Sequence, residues 1–282
     1  MKRIRSKFLK VIFIIVAVIV LFIIVSFIRH KICSFRERKL LTPLGKIVEV
    51  NGHNMSVYTE GEGDKTLVFL SGGGTCSPIL DFKSLYSLLS NKYKIAVVEK
   101  FGYGFSDVVD EQRDIDTMLS ETRMALEKAG IEGPYVLCPH SMSGLEALYW
   151  AQKYPEEVEA PSLAESDAIK VGTLSEEEKE IYRAVFYQRT ATVTMIDEVK
   201  AVKDNAKTVK ENGVPQVPML LFISNGSGGT GFTKETWRRI PKEYIAGCDN
   251  ASYIELDCPH YVHDYEYEKI SEEIRNLLKK MY

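Results

Sequence analysis

Four runs between Lys65 and Gly226 most constrain how this chain can fold. "KTLVFL" (65–70), "KIAVVE" (94–99), "PYVLC" (134–138) and "VPMLLFI" (217–223) are short and almost wholly apolar. A strand with one face in water alternates apolar and polar residues, and these four do not. They must be covered on both faces, which is the condition of strands in a parallel sheet between helices. The segments that follow the first three, 82–93, 115–130 and 144–155, have apolar residues at helical spacing. Alternation of this kind predicts an α/β protein with a mostly parallel central sheet flanked by helices.

Two regions depart from the alternation. Residues 46–63 read as two strands joined at Asn51-Gly52, a tight hairpin that gives the sheet an antiparallel start. Residues 158–165 are a weaker strand, because Pro161 cannot donate to a ladder. After it, about 166–213 holds two charged helical stretches and no strand. That block is expected to be a short helical cap inserted over one edge. Helices are also predicted over 233–244 and 267–281, with a strand and loop over 251–264.

The first forty residues differ from the rest. Residues 11–28, "VIFIIVAVIVLFIIVSFI", carry no charge, and Ser26 is their only polar residue. At ~1.5 Å per residue they nearly cross a hydrocarbon core of ~30 Å. The basic sequence after them offers no small-x-small cleavage site, so an anchor is favoured over a cleaved signal. The expected organisation is a basic N-terminus (1–10), a single transmembrane anchor (11–28), a linker (29–45) and one domain (46–282). Both flanks of the run carry five basic residues. A short basic N-terminus usually stays inside, so the domain is expected on the extracytoplasmic side. Ten of the 36 Lys/Arg and one of the 39 Asp/Glu lie in residues 1–40, which leaves 26 basic and 38 acidic residues beyond. So acidic a body would be repelled by phosphate, and nucleic acid is not expected as a partner. Five scattered cysteines without a CxxC argue against a disulfide framework or a zinc site.

The chemistry-bearing stretch is "CPHSMSGL" (138–145), placed between a strand and a helix. A serine at the apex of so sharp a turn needs small residues two positions to either side. Ser141 has Pro139 and Ser143 there, whereas Ser143 would have the bulky Leu145. Ser141 is the better nucleophile. The region Pro139-His140-Ser141-Met142-Ser143-Gly144 resembles the nucleophile elbow of the α/β-hydrolase superfamily, commonly Gly-His-Ser-Met-Gly-Gly. Two more stretches carry the resemblance. "FLSGGG" (69–74) stands where that family has its oxyanion loop, and "EKFGYGFSD" (99–107) resembles its Asp-x-x-Gly-x-Gly-x-Ser segment, with Glu99 in the acidic position. A phosphate loop would need a Lys-Ser/Thr after the glycines, which is absent.

The resemblance implies a membrane-anchored serine hydrolase (an esterase, lipase or amidase) with a catalytic triad. Ser141 would be the nucleophile, and the backbone N–H groups of Gly73 and Met142 would form the oxyanion hole. His260, after the last strand in "CPHYVHD", would be the base, with His263 as its competitor. The acid is less clear, because the strand at 217–223 ends in Ser224-Asn225-Gly226 with no carboxylate. Glu165, at the end of the preceding strand, is preferred, with Asp167 as the alternative. Asn225, Asp249, Asp257 and Asp264 remain substitutes. No metal or organic cofactor is needed for this chemistry, and "HYVHD" is at most half a metal site. Tyr182, Val185, Phe186 and Tyr187 of the cap are expected to line the pocket. A small-molecule or lipid-like acyl substrate fits the anchor. Two alternatives stay open. One is a proline-iminopeptidase-like aminopeptidase, using "SEEEKE" (175–180) to hold an α-amino group. The other is a non-catalytic anchored binding protein on a hydrolase scaffold.

Overall fold

The computed structural model describes residues 2–163, 168–228 and 230–281. The chain forms two compact units, Met1–Thr42 and Pro43–Tyr282.

The first unit is built on one helix, α1 (Lys2–Glu37). Ile12–Glu37 is long and apolar enough to cross a membrane, and no residue of its most apolar stretch is buried. This fits a membrane anchor. The helix runs nine residues further than the apolar run, into the stretch expected to be linker. Arg29–Glu37 contains good helix formers and no glycine or proline, and Pro43 is the first breaker.

The second unit holds an eight-stranded sheet. Its strands are β1 (Lys46–Val50), β2 (His53–Glu60), β3 (Thr66–Leu70), β4 (Lys94–Glu99), β5 (Tyr135–Pro139), β6 (Val158–Leu163), β7 (Met219–Ile223) and β8 (Ala251–Glu255). The spatial order is β1-β2-β4-β3-β5-β6-β7-β8. β2 is antiparallel to β1 and β4, and every other pairing is parallel. The β1–β2 turn has φ +51° at Asn51 and +83° at Gly52, the backbone twist that a two-residue hairpin requires. β6 forms despite Pro161, and its register against β5 shifts between Tyr135 and Val136.

The apolar strands are covered on both sides. On one face Val68, Leu70, Ala96, Val98, Leu137, Met219, Leu221 and Ile223 pack with α4 (Ile115–Ala129), α5 (Ser143–Lys153), α8 (Val193–Glu211) and α9 (Lys234–Ile245). On the other, Leu67, Phe69, Ile95, Val97, Leu220 and Phe222 pack with α3 (Lys83–Leu89) and α11 (Tyr267–Met281). The side-chain period of two sends alternate residues of one strand into different cores. α3 is preceded by a single turn, α2 (Pro78–Asp81), which the sequence did not announce. α4 ends where Gly130 takes φ +81°. Between β6 and β7 lie α6 (Ala168–Val171), α7 (Glu176–Arg189) and α8. α10 (Val262–Tyr265) is a single turn before α11.

Candidate active site

Ser141 stands between the end of β5 and the start of α5, at φ +48°. A non-glycine residue there is strained and persists only if its surroundings hold it. They do. The His140 N–H donates to Leu70 O (2.8 Å), which extends the ladder past Pro139. The N–H groups of Ser143 and Gly144 donate back to His140 O and Ser141 O, each at 2.9 Å. Pro139 is accommodated because it is the last residue of β5, opposite Leu70. Ser143 is buried and its hydroxyl donates to Ser71 O, so this rival serine ties the elbow to the loop after β3.

That loop lies against the elbow. A Cβ on Gly72 would fall 2.4 Å from His140 Nδ1 and 3.0 Å from Ser141 Cβ, and one on Gly73 would fall 2.4 Å from Met142 Sδ. At Gly72 the neighbour is the buried His140 ring, so only a residue without a side chain allows that approach; at Gly73 it is the movable end of Met142. The Gly72 N–H donates to His140 Nδ1 (3.0 Å), so that nitrogen carries no proton. Burial holds His140 well below the usual histidine range, followed by repulsion from His263, His260 and Lys100. The loop is braced a second time: the Gly74 N–H donates to Tyr103 Oη (3.3 Å), and that hydroxyl donates to Glu198 of α8 (2.6 Å). Glu198 also forms a buried ion pair with Lys100.

His260 comes from the loop between β8 and α10. Its N–H donates to Ser227 O (2.9 Å), and its ring meets Trp237 edge-on at 5.0 Å. Its Nε2 is 3.4 Å from Ser141 Oγ. Burial, then His263, pushes its pKa down to about 4. At neutral pH the ring is uncharged, which is the form able to accept a proton. His263 is turned elsewhere. It is fully buried, stacks on Phe82 at 4.5 Å and places Nε2 3.5 Å from Asp81 Oδ2. Tyr182 also donates to Asp81 (3.4 Å). This Asp81–His263–Tyr182 group behind the site had no signature in the sequence, because its members are remote: Tyr182 lies 101 residues from Asp81, and His263 lies further still.

The preferred acid, Glu165, and its alternative, Asp167, lie outside the described residues. Two of the substitutes have other engagements. Asn225 Oδ1 accepts from the Ser227 N–H (2.9 Å) and hydroxyl (2.6 Å). Asp257 pairs with Lys234 at the surface (2.7 Å), which holds its pKa down. Asp249 is exposed and Asp264 is buried on α10.

Ser141 and His260 open onto a cavity of about 570 Å³. It is walled by α5, α8, α9 and β7, so the expected cap contributes through α8 and not through the α7 residues named for it. Val185 is buried in its own contacts, Phe186 and Tyr187 are exposed, and Tyr182 faces Asp81. Part of the acidic run at 175–180 is engaged elsewhere. Ser175 and Glu178 form a capping box, Glu178 pairs with Lys83, and Glu176 pairs with Lys179. Among the described residues no group of three or more His, Cys, Asp or Glu could hold a metal ion.

No family model matches the chain. The protein YbdG of Bacillus subtilis (strain 168) is 33% identical over 320 aligned residues, covering 98% of each chain. The chain belongs to the YbdG family. YqjL of the same organism is 21% identical over 216 residues, covering 73% of this chain and 83% of its own. Among solved structures, the lip1 protein of Acinetobacter baumannii AYE superposes at TM-score 0.67 with 16% identity, covering 89% of this chain and 95% of its own. A serine hydrolase involved in carbazole degradation, CarC, gives 0.65 and 13% over 83% and 98%. Epoxide hydrolase VrEH1 from Vigna radiata gives 0.67 and 14% over 83% and 97%. The fold is that of the α/β-hydrolases, in agreement with the resemblance of the elbow and glycine loop.

Proposed function

We propose that this protein is a serine hydrolase that cleaves a carboxylic ester or amide through an acyl-enzyme on Ser141. One observation carries the reading. A strained serine at φ +48° presents its hydroxyl 3.4 Å from the Nε2 of an uncharged histidine, at the mouth of an apolar cavity. His260 takes the hydroxyl proton as Ser141 Oγ attacks the acyl carbonyl, then gives it to the leaving group. A water, deprotonated by the same nitrogen, cleaves the acyl-enzyme and releases the acid. The backbone N–H groups of Gly73 and Met142 receive the oxyanion, each worth ~10²–10³ in rate at such sites. By the resemblance, Glu165 would be the acid of the triad, with Asp167 as the alternative.

The aminopeptidase reading is disfavoured, because the carboxylates at 176 and 178 are committed to capping and ion pairs. The apolar helix α1 would keep the enzyme at a membrane. A fluorophosphonate probe on the full chain in mild detergent tests the proposal. Wild type should be labelled, and Ser141→Ala and His260→Ala should not. A folded wild-type protein that takes no label removes the reading. Glu165→Ala and Asp167→Ala, assayed on a generic ester, assign the acid: the true one should lose roughly 10⁴ in kcat.

A further inference from the structure

One helical stripe and one strand line much of the cavity beside Ser141. Trp237, Ile240, Pro241, Tyr244 and Ile245 of α9 line it. Their spacing is i, i+3, i+4, i+7, i+8, one stripe of a helix, about 12 Å long at ~1.5 Å per residue. Opposite them, Met219, Leu221 and Ile223 line it from one face of β7. Four steps at ~3.3 Å give about 13 Å. The two estimates agree because helix and strand run alongside each other for the length of the slot. Ser141, His260 and Ser224 mark the end at the carboxyl edge of the sheet. Leu148 of α5 and Ala206 and Val209 of α8 wall the inner part, and the exposed Lys210 marks the other end.

Polar atoms along the slot are already engaged. Ser224 Oγ accepts from Trp237 Nε1 (3.0 Å) and the Gly226 N–H (3.2 Å), and Tyr244 donates to Gly213 O (3.4 Å). A polar substrate group buried here would go unpaired, at a cost of ~1–3 kcal/mol. A flexible apolar chain would not.

We propose that this slot binds one unbranched acyl chain of about ten to twelve carbons, with its carbonyl at Ser141; the proposal rests on the serine-hydrolase reading above. A methylene advances the chain by ~1.3 Å, from a C–C bond of ~1.5 Å in zigzag, so about ten fill 12–13 Å. A longer chain emerges beside Lys210, where a terminal carboxylate or water is tolerated.

The test uses the full chain in lipid nanodiscs and p-nitrophenyl esters from acetyl to dodecanoyl. kcat/KM should rise up to about fourfold per methylene, the equivalent of ~0.8 kcal/mol each, and level off near decanoyl. Ala206→Phe, which narrows the slot, should lower dodecanoyl kcat/KM tenfold or more and shift the preferred chain length to shorter esters. A second readout is independent of catalysis. The chain has two tryptophans, and Trp150 is fully buried away from the slot. A terminally brominated undecanoate should quench Trp237 fluorescence in Ser141→Ala, and Trp237→Phe should abolish the quenching. Ser141-dependent turnover with a flat chain-length profile and no quenching would overturn the slot and leave the hydrolase standing. Quenching without Ser141-dependent turnover would uphold the slot and overturn hydrolysis.

Discussion

Replacing Ser141 by glycine and by alanine separates the strain of the elbow from its chemistry. Both variants remove the nucleophile, so both should lose activity and labelling. Their stabilities should differ. The backbone at Ser141 has φ +48°, where a Cβ costs ~1–2 kcal/mol. Glycine escapes that cost but loses ~0.5–1 kcal/mol to the greater freedom of its unfolded chain. Ser141 is exposed, so the methyl of alanine gains little by packing. The net expectation is that Ser141→Gly is more stable than Ser141→Ala by about 0.5–1 kcal/mol, or roughly 1–4 °C in Tm for a domain of this size. Ser143 supplies the internal control. It opens α5 with ordinary helical geometry, so there alanine should exceed glycine by ~1 kcal/mol. Urea denaturation of the full chain in one detergent, read by tryptophan fluorescence, compares all four variants. If glycine is the less stable choice at both positions, the strained-elbow argument is wrong.

Three further outcomes are expected. Because burial depresses His260 to about 4, the base stays deprotonated well into acid, and the acidic limb of kcat/KM should lie below pH 6; a limb centred at 6.5 or above would contradict the burial argument. Glu198→Ala strands Lys100 in a site where the two side chains are 2% and 4% exposed, so it should cost about 3–5 kcal/mol and lower Tm by roughly 10 °C; an unchanged melting curve would show that the pair is dispensable. Gly72→Ala should lower kcat/KM by more than tenfold because its Cβ meets the His140 ring at 2.4 Å, whereas Gly247→Ala, with open space around it, should be close to neutral.

Much of the fold was legible because its signals are local. Runs such as "TLVFL" and "MLLFI" need cover on both faces, and the structure divides their alternate residues between two cores. Asn51-Gly52 and Gly130 carry their turn geometry in their own chemistry. The choice of Ser141 over Ser143 was a steric argument about neighbours, and neighbours are written in the sequence. The stripe on α9 was also there to be read, since Trp237, Ile240, Pro241, Tyr244 and Ile245 have helical spacing. Its meaning was not, because a stripe facing a core and a stripe facing a cavity have the same residues.

The tertiary structure decided what depends on distance between remote segments. His260 and His263 are three residues apart, and the sequence preferred His260 only because it lies nearer the strand end. Only the packing of α10 places one at Ser141, 119 residues away, and the other on Phe82 and Asp81. The expected cap does reach the pocket, but through α8 rather than the named α7 residues, and α9 joins it, for the same reason: periodicity says which face of a helix is apolar, not what it meets. Sequence patterns record each segment's own preference. The site is made where segments meet, and those meetings are settled by the packing of the whole domain.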